Sequence, residues 1–151
     1  MTMISENIDL SVLISSSQST HKWGNKVWIL EQVVVDGEQF LGDASDSEDR
    51  IVWRNLKLQI HALHCESYYQ NLLSDLPQIY LICKQEEDNG LSPLLITVDF
   101  DEANSYMETG ELVLISPLPE TLCNWLERFF IENYELEAPK KRRRKKWFKA
   151  K

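Results

Sequence analysis

The sequence is poor in several things at once, and each shortage removes a class of function. Its five glycines stand singly among 151 residues, so no glycine-rich loop exists to cradle a phosphate or a dinucleotide. None of the three cysteines, Cys65, Cys83 and Cys123, belongs to a C-x-x-C pair. Their odd number and spacing match no zinc or disulfide framework, and they read as free buried thiols. The serine run Ser15-Ser16-Ser17 lacks the G-x-S-x-G turn of an activated nucleophile. No stretch approaches the roughly 18 to 20 consecutive apolar residues that span a bilayer, and Met1 to Leu10 lacks the basic start and apolar run of a signal peptide. The expectation is a soluble, cytoplasmic protein that is not an enzyme and holds no cofactor and no metal.

Positive charge is also scarce until the chain is nearly complete. Nine of the 16 Lys and Arg residues fall in the last twelve positions, and all 24 Asp and Glu lie before them. Residues 1–139 therefore carry −17 and residues 140–151 carry +9, so the net −8 averages two opposite objects. The basic run is Lys140-Lys141-Arg142-Arg143-Arg144-Lys145-Lys146, followed by Trp147 and Phe148. It has no apolar periodicity with which to build a core, and it reads as a disordered tail over 137–151 attached to a single domain over 1–136. These nine residues, 140 to 148, are the candidate partner-binding site.

Within the body, 43% apolar residues and five Trp suffice for one core. Ile8 to Ser15 alternates as a first strand, and Val27 to Val35 is a β-branched second strand closed by Asp36-Gly37. Residues 36–50 hold six acids against one Arg and read as a mobile acidic loop. Ile51 to Leu56 and Leu58 to His64 follow with period two, as a hairpin or one long bent strand. Glu66 to Leu76 fits either a short helix or an irregular loop ahead of Pro77. Gln78 to Lys84 and Leu94 to Phe100 form a hairpin across an Asn-Gly turn. A helix over residues 101–109, capped by Asp99 or Asp101 and stopped by Gly110, buries Ala103, Tyr106 and Met107. Glu111 to Ser116 is a last strand. Pro119 opens a final helix to about Tyr134 with Leu122, Trp125, Leu126, Phe129 and Phe130 as its apolar stripe. The sum is an α+β domain: a mostly antiparallel sheet of about six strands, a short helix, and a C-terminal amphipathic helix across one face.

Two clusters invite a metal reading. His61, His64 and Cys65 lie close in sequence, but on a strand His61 and His64 would face opposite sides, which favours a surface His61 over a ligand set. Glu86-Glu87-Asp88 and Asp99, Asp101, Glu102 fit no EF-hand and read as a solvated turn and a helix cap.

For the tail three partners compete. An acidic protein surface would be reached by electrostatic attraction. Phosphates of RNA or DNA would bind through counterion release, with Trp147 and Phe148 stacking on bases. An anionic membrane surface would gain about 1 kcal/mol per cation. Against nucleic acid stands the −17 of the body, which repels a polyanion. The plainest alternative is a solubilising tail folded onto the chain's own acidic loop.

The segments His21-Lys22-Trp23-Gly24-Asn25-Lys26-Val27-Trp28, Glu66-Ser67-Tyr68-Tyr69-Gln70-Asn71-Leu72 and Ile79 to Ile82 form a recognisable series. It continues through Val98 to Glu111, Pro117-Leu118-Pro119-Glu120 and Pro139-Lys140-Lys141-Arg142. Over about residues 8 to 146, the acidic loop excepted, the chain resembles a bacterial domain-of-unknown-function family often encoded beside molybdenum-dependent formate dehydrogenases. The resemblance implies an accessory protein in the production or assembly of a molybdenum and iron–sulfur enzyme, and it brings no catalytic residues with it. The partner it implies is a formate dehydrogenase subunit or an assembly factor.

Overall fold

A computed structural model describes residues 5–18, 26–35, 37–40, 50–86 and 90–149, with side chains in all of these except 18, 26 and 135–149. Six strands and three α-helices follow in the order β1 (Ser5–Gln18), β2 (Lys26–Val35), β3 (Arg50–His61), α1 (Cys65–Leu73), β4 (Gln78–Gln85), β5 (Leu91–Thr97), α2 (Phe100–Glu108), β6 (Leu112–Pro117) and α3 (Glu120–Lys149). A short 3₁₀ helix, Ala62–His64, joins β3 to α1. The fold is α+β, as the sequence predicts. The single six-stranded sheet is corrected to two three-stranded antiparallel sheets, ordered β2-β1-β3 and β5-β4-β6.

The division has a physical reason. The chain leaves the first sheet at His61, turns through the 3₁₀ helix and α1, and re-enters as β4, so β3 lies beside β5 and β2 beside β6 without joining in a ladder. Each sheet is thereby apolar toward the other. Leu10, Val12, Leu58 and Ile60 meet Ile79, Leu81, Cys83, Ile96 and Leu114 in one core, into which α3 inserts Leu122, Leu126 and Phe129. Burying a ring such as Phe129 stabilises the fold by about 2 to 3 kcal/mol. β4 is apolar on both faces: its outer residues Tyr80 and Ile82 pack with Ala103 of α2.

Several boundaries move from their predicted places. Residues 51–61 form one long strand, and the bend falls at Arg54 and Asn55, where the β1 pairing shifts and Asn55 takes φ +64°. Left-handed backbone at a bulge suits Asn better than a branched side chain. The strand stops at His61, short of the predicted His64. α1 resolves the ambiguity over residues 66–76 in favour of helix. β5 begins at Leu91 and includes Pro93, which an edge strand tolerates. Val98 to Phe100, predicted as strand, instead turns into α2. Gly110 has φ +88° and its N–H donates to Met107 O, while that of Glu111 donates to Tyr106 O, the paired bonds of a glycine-terminated helix. Met107, expected in the core, is exposed.

α3 is the largest departure. Its backbone runs on to Lys149, well past the stop expected near Tyr134, so the segment 137–149 expected as disordered tail is helical. Lys and Arg are good helix formers, and cations at a helix C-terminus meet the negative end of its dipole. The acidic loop expected over 36–50 lies largely outside the described residues; of it, Glu38 N–H donates to Val35 O and Arg54 stacks over the Phe40 ring.

Candidate functional site

Among the described residues, concave surface is found where α1, the 3₁₀ helix, the end of β5 and the start of α2 meet. Two cavities share Ser67, Asp99 and Asp101. One, of about 680 Å³, runs between β3 and α2 past Lys57, Gln59, His61, His64 and Glu102. The other, of about 400 Å³, lies between α1 and β4 past Gln70, Asn71 and Tyr80.

Asp99 stands on their common floor. Its Oδ1 accepts from Asp101 N at 2.9 Å, the N-cap bond of α2, and its own N–H donates to Thr97 Oγ1 at 3.1 Å. Its Oδ2 lies 3.9 Å from His64 Nδ1, an ion-pair distance longer than a hydrogen bond. Ser67 Oγ donates to Asp101 Oδ2 at 3.3 Å, tying α1 to α2.

Tyr68 closes the wall behind. Its hydroxyl oxygen accepts from the His61 N–H at 2.9 Å, and its ring meets Phe129 edge-on at 6.5 Å. Burial pushes the Tyr68 phenol well up; the His61 hydrogen bond pulls it back in part, and Asp99, Cys65 and Glu102 push it further. Tyr80 is raised by burial first and by Asp99 second. Burial is thus the main cause at both phenols, with the Asp99 charge adding to it.

His61 and His64 do not face opposite ways. Because the strand ends at His61, the 3₁₀ turn swings His64 onto the same cavity, with ring centroids 6.1 Å apart. Cys65 is buried in the core. Among the described residues no three His, Cys, Asp or Glu side chains converge as a metal-ligand set. The amide Asn71 locks the neighbouring wall: Nδ2 donates to Gln78 O at 2.8 Å and Val98 O at 3.0 Å, and Oδ1 accepts from Gln78 N at 2.9 Å.

The sequence-derived candidates, Lys140 to Phe148, fall on the distal half of α3, and their side chains lie outside the described ones. The described half of α3 carries an aromatic ladder toward them: Tyr69 of α1 stacks on Phe130 at 4.5 Å and 5°, and Phe130 meets Tyr134 at 4.6 Å. Leu73 and Ile131 are exposed on the same pair of helices. The sequence singles out five of the larger cavity's lining residues, but as two separate clusters, His61 with His64 and Asp99 with Asp101 and Glu102; that they share one cavity was hidden because its walls come from segments some forty positions apart. No described helix is long and apolar enough to cross a membrane.

No curated protein and no solved structure shows significant similarity to this chain. A family profile does, over residues 9–144, nearly the whole length and into the basic run. The chain belongs to that family, described as "Protein of unknown function (DUF3305)".

Proposed function

We propose that this protein is a non-catalytic accessory factor whose α3 docks an acidic protein surface, the aromatic ladder of α1 and α3 supplying the apolar centre and residues 140–148 the charge. The observation that carries this reading is the separation of −17 on residues 1–139 from +9 on residues 140–151. Opposite charge on the partner matches the tail and is repelled by the body, which fixes which end of the molecule engages. Lys140 and Arg144, Lys141 and Lys145, and Arg142 and Lys146 stand four positions apart on the helix. Each such like-charge pair costs about 0.2 to 0.5 kcal/mol, and Pro139 removes one helical hydrogen bond. An acidic partner relieves the repulsion, so docking and helix formation reinforce each other.

The partner class implied by the family resemblance is a formate dehydrogenase subunit or a factor assembling that molybdoenzyme. Affinity capture from native cells at low salt, comparing the full chain with one ending at Pro139, tests the reading. The expected result is an acidic protein retained by the full chain and lost on truncation. Equal retention by both, or retention of RNA or DNA alone, contradicts it; the latter outcome favours a nucleic-acid-associated regulator in which Trp147 and Phe148 stack on bases.

A further inference from the structure

We propose that α3 pairs antiparallel with α3 of a second copy of this chain, the basic end of each helix lying on the acidic start of the other. This pairing rests on the reading above, that α3 docks an acidic protein surface, and supplies that surface from the same sequence. Leu122, Leu126 and Phe129 turn one face of α3 to the core. On the opposite face, positions 120, 124, 127, 131, 134, 138, 142, 145 and 149 recur every three or four residues, and at the pitch of an α-helix they fall within about 40° of one line along its surface. They read Glu, Asn, Glu, Ile, Tyr, Ala, Arg, Lys, Lys, which is acidic, then apolar, then basic. Glu120, Asn124, Glu127 and Ile131 are exposed, and neither Glu120 nor Glu127 has an ion-pair partner among the described residues.

The order of charges makes this stripe complementary to itself when reversed. Turning a second α3 end for end about a two-fold axis near Tyr134 sets Glu120 opposite Lys149, Asn124 opposite Lys145, Glu127 opposite Arg142 and Ile131 opposite Ala138. In a parallel pair, acid would meet acid and base would meet base. The helix dipole accounts for charge in the first and last turns alone, whereas Glu127 and Arg142 each stand about two turns inside their end of α3. At the centre of the stripe Ile131 is 64% exposed, and Tyr69, Phe130 and Tyr134 stack in series beside it. Apolar surface left open at the pivot is what a two-helix seam buries first. Beyond the seam, each basic segment also meets a body that carries −17, so the attraction does not end at α3.

Sedimentation equilibrium of the full chain at low and high salt tests the pairing, with circular dichroism to confirm that each variant is folded. A dimer is expected at low ionic strength, dissociating as salt rises. Glu127→Lys and Arg142→Glu should each weaken self-association about tenfold or more, because the two-fold axis turns two attractive contacts into two repulsive ones. The double variant Glu127→Lys with Arg142→Glu should recover it, and that recovery reports the antiparallel register rather than charge alone. A full chain that stays monomeric at low salt while still capturing an acidic partner through residues 140–151 overturns the self-pairing and leaves the reading beneath it standing. A monomer whose partner capture is also indifferent to those residues removes both. A dimer that persists in both single variants, or a double variant no better than the singles, likewise overturns the pairing, since the copies then meet elsewhere, as at the β2 edge.

Discussion

Asn71, almost fully buried, holds three backbone groups, two at the start of β4 and one at Val98 in the turn between β5 and α2. Replacement by Leu leaves Gln78 N–H, Gln78 O and Val98 O without partners, and buried groups so abandoned cost about 1 to 3 kcal/mol each. Asn71→Leu is expected to lower stability by about 3 kcal/mol or more in denaturant unfolding; an unchanged midpoint would show that water or backbone movement replaces the amide. Cys83 makes a second residue-scale prediction. Burial pushes its thiol from 9.0 up to about 12. The folded state favours the neutral thiol, so this contribution is complete below pH 9 and is lost as pH rises from 9 to about 12. Stability should decline across that window, and Cys83→Ala should make the decline shallower. Only the second of these was readable beforehand. An Asn in a helical stretch looks like a surface residue until the strands it binds are placed, whereas the burial of Cys83 followed directly from the apolar run of β4.

At the scale of elements, period-two and helical patterning placed the six strands, α2 and the start of α3 but left α1 open between helix and loop, and the errors lie where tertiary geometry overrides local pattern. Val98 and Phe100 favour strand by type, but Asp99 captures the chain as an N-cap and turns it into α2. Of the two readings of residues 51–64, a hairpin or one long bent strand, the structure takes the second, absorbing Arg54 and Asn55 as a bulge with Asn55 at φ +64°. Asn55→Val should therefore cost about 1 to 2 kcal/mol, while Asn55→Gly should be tolerated. Equal stability of the two variants, measured by thermal unfolding, would contradict a left-handed bulge. The extension of α3 through Pro139 was illegible because a proline and a run of like charges both argue for a stop, and only the helical propensity of Lys and Arg argues against one.

For the molecule as a whole, six strands were readable but their division into two sheets was not, since the division depends on which edges the α1 crossover leaves unpaired. The cleft at Asp99 was hidden for the same reason, its walls being assembled from β3, α1 and α2. Charge, by contrast, is written in order along the chain, and the opposition of an acidic body to a basic helix end needs no fold to be seen. The account rests on that opposition. Its most direct test is the rate of association of the purified protein with a formate dehydrogenase complex, measured against ionic strength for the full chain and for one ending at Pro139, with a single-stranded RNA run in parallel. The account predicts that the full chain associates about tenfold or more faster at low salt than the truncated one, that the advantage fades as salt rises, and that RNA binds more weakly than the protein complex. Equal rates for the two chains at low ionic strength, or tighter binding to RNA, would contradict it.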